Sequence, residues 1–78
     1  MQPDKPNLLP GWRLSPGGYY HWTDPEKIES PDVYIQRSGE EWDIEYWVRD
    51  RVEWIRVIVP PSPEPPFELA EVLYYAAQ

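Results

Sequence analysis

His21 is the one histidine in a 78-residue chain that has no cysteine. It is the only side chain here whose ordinary pKa lies near neutrality. Acid–base catalysis would need it beside a nucleophile or an orienting carboxylate. Ser15, Ser30, Ser38, Ser62 and Thr23 all fall in or near turn signals, and none lies in a nucleophile motif. A strand histidine among aromatics is the plainer reading, so the chain is read as not an enzyme. His21, Asp24 and Glu26 could meet a metal on paper, but one imidazole with two loop carboxylates is poor zinc chemistry. No 12-residue calcium loop with its glycine and closing glutamate is present. Gly17-Gly18 lacks both the phosphate-loop motif and a following helix. The expectation is no cofactor and no metal.

The residues with the clearest chemistry are those that make contacts. Trp47 and Trp54, with Tyr34 nearby, are of the types that dominate protein interfaces, and Arg56 is the cation most often found with them. Asp43 and Glu45 add acids to the same neighbourhood, within the run Glu40, Glu41, Asp43 and Glu45. Alternation along a strand splits that run between two faces, so it is no ready-made chelator and reads as a solvated edge. Tyr34, Asp43, Glu45, Trp47, Trp54 and Arg56 are therefore the candidate partner-binding residues.

Strands must position them. Asp32–Arg37 and Glu41–Arg49 flank Ser38-Gly39, read as a two-residue hairpin turn. That register sets Ile35 opposite Trp42, Val33 opposite Ile44, Tyr34 opposite Asp43 and Gln36 opposite Glu41. Val52–Val59 forms the next strand, pairing Tyr46 with Ile55, Ile44 with Val57 and Trp42 with Val59. On the other face Trp47 meets Trp54 and Glu45 meets Arg56. A one-residue slip would put Ile44 against Arg56 and lose both matches. Val33, Ile35, Trp42, Ile44, Tyr46, Ile55, Val57 and Val59 thus share a core face.

Before these strands, Pro3, Pro6, Pro10 and Gly11 make residues 1–11 an extended arm. Ser15-Pro16-Gly17-Gly18 predicts a short hairpin with Leu14 opposite Tyr19 and Trp12 opposite His21. Asp24 begins a polar connection running to Pro31. After the strands, five prolines within 60–66 form a stiff extended strap. Phe67–Ala77 then reads as a helix of about three turns. Glu68, Glu71, Tyr75 and Gln78 make its polar stripe, while Phe67, Leu69, Ala70, Val72, Leu73, Tyr74 and Ala76 fill the rest. So short a helix must dock, and the core face is where it would do so.

Leu9-Pro10-Gly11-Trp12, followed by Tyr19-Tyr20-His21 and then Pro31, resembles a WW domain over about residues 9–31. That resemblance implies binding of proline-rich peptides. Ile28, however, stands where the family's second, ligand-binding Trp belongs, and the loop between Trp12 and Tyr19 is shorter than the family's first hairpin. These departures reduce the match to shared hairpin residues.

Composition narrows the partner. Fourteen acids against seven bases give a formal charge of −7, which argues against nucleic acid or an anionic membrane. No stretch approaches the roughly 18 to 20 apolar residues that span a bilayer. The start MQPDKPNLLPGW lacks a signal-peptide pattern, so the expected location is cytoplasmic. An apolar fraction of 41% is too high for disorder.

The resulting expectation is a single α+β domain over residues 1–78. It is a small antiparallel meander of three to five strands, with one C-terminal helix packed on one face. The expected function is a non-catalytic acidic module that binds a protein with a basic surface. It would act as an inhibitor of a nucleic-acid-handling protein, of the phage or mobile-element kind such as an anti-CRISPR. The alternative is a homodimer or larger assembly through the Trp47/Trp54 face. In a third arrangement, Trp12, Tyr20 and Trp22 fold over that face as a second core and close a small barrel. A WW-like peptide binder and a His21-centred enzyme rank last.

Overall fold

The structure, a computed structural model, describes residues 8–27 and 30–78. The extended arm expected at 1–11 therefore lies mostly outside the described residues, as does Ile28. Five strands and one helix follow one another: β1 (Trp12–Leu14), β2 (Tyr20–Trp22), β3 (Val33–Ser38), β4 (Glu41–Val48), β5 (Glu53–Val59) and α1 (Phe67–Ala77). The strands form one antiparallel sheet in the order β1-β2-β3-β4-β5. The helix packs on one face, over β3 and β4. This is the α+β meander that hydrophobic alternation predicts.

Two registers differ from the sequence reading, each for a glycine's reason. In the first hairpin the amide of Gly18 donates to the Ser15 carbonyl at 3.0 Å, and that of Ser15 to the Tyr19 carbonyl at 2.8 Å. Gly18 sits at φ +89, the left-handed conformation of a bulge that follows a tight turn. The extra loop residue shifts pairing by one, so Trp12 faces Trp22, Arg13 faces His21 and Leu14 faces Tyr20. In the β3–β4 hairpin the loop is Gly39-Glu40 rather than Ser38-Gly39, with Gly39 at φ +65 in the first central position, where a type II′ turn needs it. Ile35 then pairs with Ile44, Val33 with Tyr46, Tyr34 with Glu45 and Gln36 with Asp43. This shift is two residues, so every side chain keeps its face. The β4–β5 register agrees with the sequence reading, Trp47 opposite Trp54 and Glu45 opposite Arg56 included.

The core lies between sheet and helix. Trp12, Trp22, Val33, Ile35, Trp42, Ile44, Phe67, Ala70 and Tyr74 are buried together. Tyr46 and Val59 are partly buried against them, and Ile55 and Val57 are half-buried. The first hairpin extends the sheet by two strands instead of folding over its open face, so the second-core barrel does not form. Trp12 and Trp22 instead flank the helix: Trp12 lies 4.9 Å from Phe67 and Trp22 lies 5.2 Å from Tyr74 between ring centroids. On the helix, burial falls on Phe67, Ala70 and Tyr74, a single i, i+3, i+7 stripe. Leu69, Val72 and Ala76, read with the docking side, face away from the sheet because three turns lying on a sheet can bury only one stripe.

Polar groups fix where the helix sits. The Tyr74 hydroxyl donates to Asp24 Oδ2 at 2.8 Å, and both residues are buried. Asp24 in turn receives the Glu26 amide at 2.9 Å on Oδ1, while its own amide donates to Asp32 Oδ2 at 3.0 Å. Lys27 Nζ closes the group on Asp32 Oδ1 at 2.7 Å. At the helix ends, Trp12 Nε1 donates to Glu71 at 2.7 Å, and the Gln78 amide donates to the Trp47 carbonyl at 2.7 Å. The Arg49 amide donates to Gln78 Oε1 at 3.1 Å. The proline strap is held by Trp42 Nε1, which donates to the Ser62 carbonyl at 3.1 Å.

Burial, the hydrogen bond to Asp24 and the negative charge of Asp32 all push the Tyr74 hydroxyl up from its ordinary value of 10.0. The neutral phenol is the form the fold holds. Its stabilisation is fully present below about pH 10 and is lost as pH rises through the folded-state value. Tyr74→Phe leaves a buried carboxylate oxygen without its donor and is expected to cost about 1–3 kcal/mol, on the order of 10 °C in Tm. Urea unfolding measured from pH 7 to 11 checks both points: the variant starts lower and loses the part of the alkaline decline that belongs to Tyr74.

Candidate functional site: the uncovered aromatic face

With the helix on one side, the opposite face of the sheet has no covering layer among the described residues. Cross-strand register places Arg13, His21, Tyr34, Glu45 and Arg56 in one row across all five strands. Gln36, Asp43 and Ile58 form the next row, and Trp47 and Trp54 the row on the other side. Aromatic rings join these rows into a continuous band. Tyr19 lies 5.6 Å from Tyr34, Tyr34 lies 5.4 Å from Trp54, and Trp54 lies 5.4 Å from Trp47. His21 borders the band, 6.1 Å from Tyr19 and 6.5 Å from Tyr34. These spacings are those at which rings pack without full stacking.

All six residues singled out from the sequence lie on this face, but they do not share one exposure. Trp54 is 43% exposed. Arg56 is exposed, while Tyr34, Glu45 and Trp47 are half-buried. Asp43 departs from the expected solvated edge, since only 3% of it is exposed. Gln36 is its cross-strand neighbour on β3, and Arg56 of β5 reaches its carboxylate. Arg56 Nε and Nη2 both meet Asp43 Oδ2, at 2.8 and 2.7 Å. This hydrogen bond and the charge of Asp43 hold the Arg56 guanidinium above its ordinary pKa, and Glu45 adds to the effect. Asp43 Oδ1 is buried and has no hydrogen-bond partner among the described residues.

Tyr19, Tyr34, Gln36, Asp43 and Glu45 line a cleft of about 230 Å³ on this face. The sequence reading missed Tyr19 and His21 as members of the face. The signal was present in Gly17-Gly18, since a glycine following a tight turn can supply the bulge that moves the register by one residue.

Asp24, suggested beside His21 as a metal ligand, has both carboxylate oxygens engaged, by Tyr74 and by the Glu26 amide. Among the described residues no three His, Asp or Glu side chains gather as a metal site. Residues 9–27, which carry most of the WW-like pattern, are the first hairpin of a five-stranded sheet together with the stretch that leaves it. No helix among the described residues is long and apolar enough to cross a membrane. No family model, curated protein or solved structure matches this chain.

Arg56→Gln removes the only side chain that donates to the Asp43 carboxylate among the described residues and leaves a buried charge without that partner. The variant is expected to unfold at a lower urea concentration than the parent. Asp43→Asn combined with Arg56→Gln should recover much of that loss, because no charge is then left buried. A double-mutant cycle followed by tryptophan fluorescence measures the coupling.

Proposed function

We propose that this protein is a non-catalytic acidic module that binds another protein through its uncovered aromatic face. The observation that carries this reading is the unbroken band Tyr19–Tyr34–Trp54–Trp47 on the side of the sheet opposite the helix. Such a band removes a large apolar area from water only when a second surface covers it. Trp and Tyr, with Arg56 at the margin, are the residue types that carry most interface energy.

The charge of −7 selects the kind of partner. An acidic surface speeds encounter with a basic protein and opposes acidic ones. Proteins that handle nucleic acid are the largest class with such surfaces, and an acidic module seated on one would block or regulate it. A phage or mobile-element inhibitor of the anti-CRISPR kind fits that description. This assignment rests on size, charge and surface chemistry alone.

Self-assembly is the second reading, favoured by one observation. Among the described residues β5 is an edge strand, and its Trp54 and Ile58 are both exposed. A dimer through that edge would extend the sheet across a two-fold axis.

Trp47→Ala/Trp54→Ala tests the first reading. Each buried interface tryptophan typically contributes about 2 kcal/mol, so the pair is expected to weaken partner capture by at least about 30-fold while the circular dichroism spectrum stays folded. Capture of the same partners at unchanged affinity would show that the face is not the site. Sedimentation velocity of the free protein is expected to give a monomer across a wide concentration range, whereas concentration-dependent dimerisation lost in the same variant would transfer the face to self-assembly.

A further inference from the structure

The protein-binding reading leaves open what the aromatic face recognises, and the half-satisfied carboxylate of Asp43 bears on that question. A buried carboxylate is costly unless both oxygens find donors. Arg56 places two nitrogens on Oδ2 and none on Oδ1. The usual fork of arginine on a carboxylate engages both oxygens, so among the described residues this pair leaves one buried acceptor unused on a residue that lines the cleft.

The rest of the cleft suits a planar cation. Tyr19 and Tyr34 stand 5.6 Å apart with their rings inclined by 58°, forming two adjoining walls with π-faces. Gln36 supplies a neutral acceptor, and Glu45 brings a second carboxylate, half-buried on the neighbouring row. Asp43 and Glu45 together carry two negative charges against the one positive charge of Arg56, so the site is short of one cation. A volume of about 230 Å³ admits a single side chain and no folded segment.

We propose that this cleft receives one arginine side chain of the protein partner, an inference that rests on the protein-binding reading above. The guanidinium would lie against Tyr34 and Tyr19, reach Glu45 with one N–H, and donate to Asp43 Oδ1 by moving aside the groups that now cover that oxygen. Arginine fits better than lysine on three counts: it stacks on aromatic faces, it spreads donors in a plane, and it loses less hydration on entry. Arg56 is then the internal partner that holds Asp43 Oδ2 before the guest arrives. The exposed Trp54, 5.4 Å from Tyr34, would pack on whatever follows the arginine in the partner.

The test uses the full chain, titrated with the capped tripeptide Gly-Arg-Gly and with its lysine and citrulline counterparts, followed by amide and tyrosine-ring NMR shifts. The expected result is saturable binding of the arginine peptide, with shifts centred on Tyr19, Tyr34, Gln36, Asp43 and Glu45. The citrulline peptide, of the same shape without the charge, should bind at least about tenfold more weakly. Glu45→Gln, which leaves the Asp43–Arg56 pair intact and so preserves the fold, should weaken the arginine peptide by about three- to tenfold. Asp43→Asn should weaken it further wherever its spectrum remains folded.

Absence of saturable shifts, equal binding of citrulline, or an unchanged affinity in Glu45→Gln would overturn the proposal. Equal binding of lysine would overturn the choice of arginine and leave a site that reads charge alone. If partner capture still depends on Trp47 and Trp54 while the peptide fails, the cleft assignment falls and the protein-binding reading stands. Loss of neither function in the tryptophan variant brings down the binding reading independently of the peptide.

Discussion

Tyr74 reaches across 50 residues of sequence to donate its hydroxyl to Asp24, and that bond fixes where the helix sits on the sheet. An eleven-residue helix is marginal in water and persists only by docking. Apolar burial supplies the attraction, but an apolar stripe on a flat sheet does not select one position along it. The buried pair does, because a displaced helix would leave the phenol or the carboxylate without a partner in a dry interior. Asp24 is itself held by the Glu26 amide and by its link to Asp32, and Lys27 supplies the compensating charge. The connection between β2 and β3 is thus fastened to the C-terminal helix. At the far end of the helix, Gln78 performs a similar service for the loop between β4 and β5.

Once the helix has taken one face, the division of the aromatic residues follows. Trp12, Tyr20, Trp22 and Trp42 line the covered side with Phe67 and Tyr74, whereas Tyr19, Tyr34, Trp47 and Trp54 remain on the other. A single short helix cannot cover five strands, so the uncovered band is a consequence of topology as well as of composition. The acids and Arg56 on that face then find themselves among rings, where charge interactions are stronger than in bulk water. The Asp43–Arg56 pair is the clearest outcome: a carboxylate buried beneath an exposed guanidinium, with one oxygen left over.

Much of the sheet was legible because alternation in strands has a period of two and the middle strands are long. The pairing of β4 with β5 is right to the residue, since a slip there would bring Ile44 against Arg56. The β3–β4 turn was misread by one position on each side, which leaves face assignments untouched. The first hairpin was less legible: three-residue strands offer little alternation, and the bulge at Gly18 shifts pairing by one. That single residue hid Tyr19 and His21 from the candidate face. On the helix, Leu69 and Val72 belong to the right element yet point outward, because periodicity alone does not say how much of a helix a sheet can bury.

The sequence by itself determined the elements, their order and the two faces of the central strands, because these follow from local propensity, turn residues and a period-two pattern. It also determined the negative charge and the aromatic residues of the second face. Only the tertiary structure decided that the first hairpin joins the sheet instead of closing over it, and that Asp24 and Asp32 are buried. It also decided that Asp43 lies under Arg56 beside a cleft, with one oxygen that has no partner among the described residues. These depend on groups far apart in the chain, and whether a charge is solvated or buried is settled by what the fold places over it.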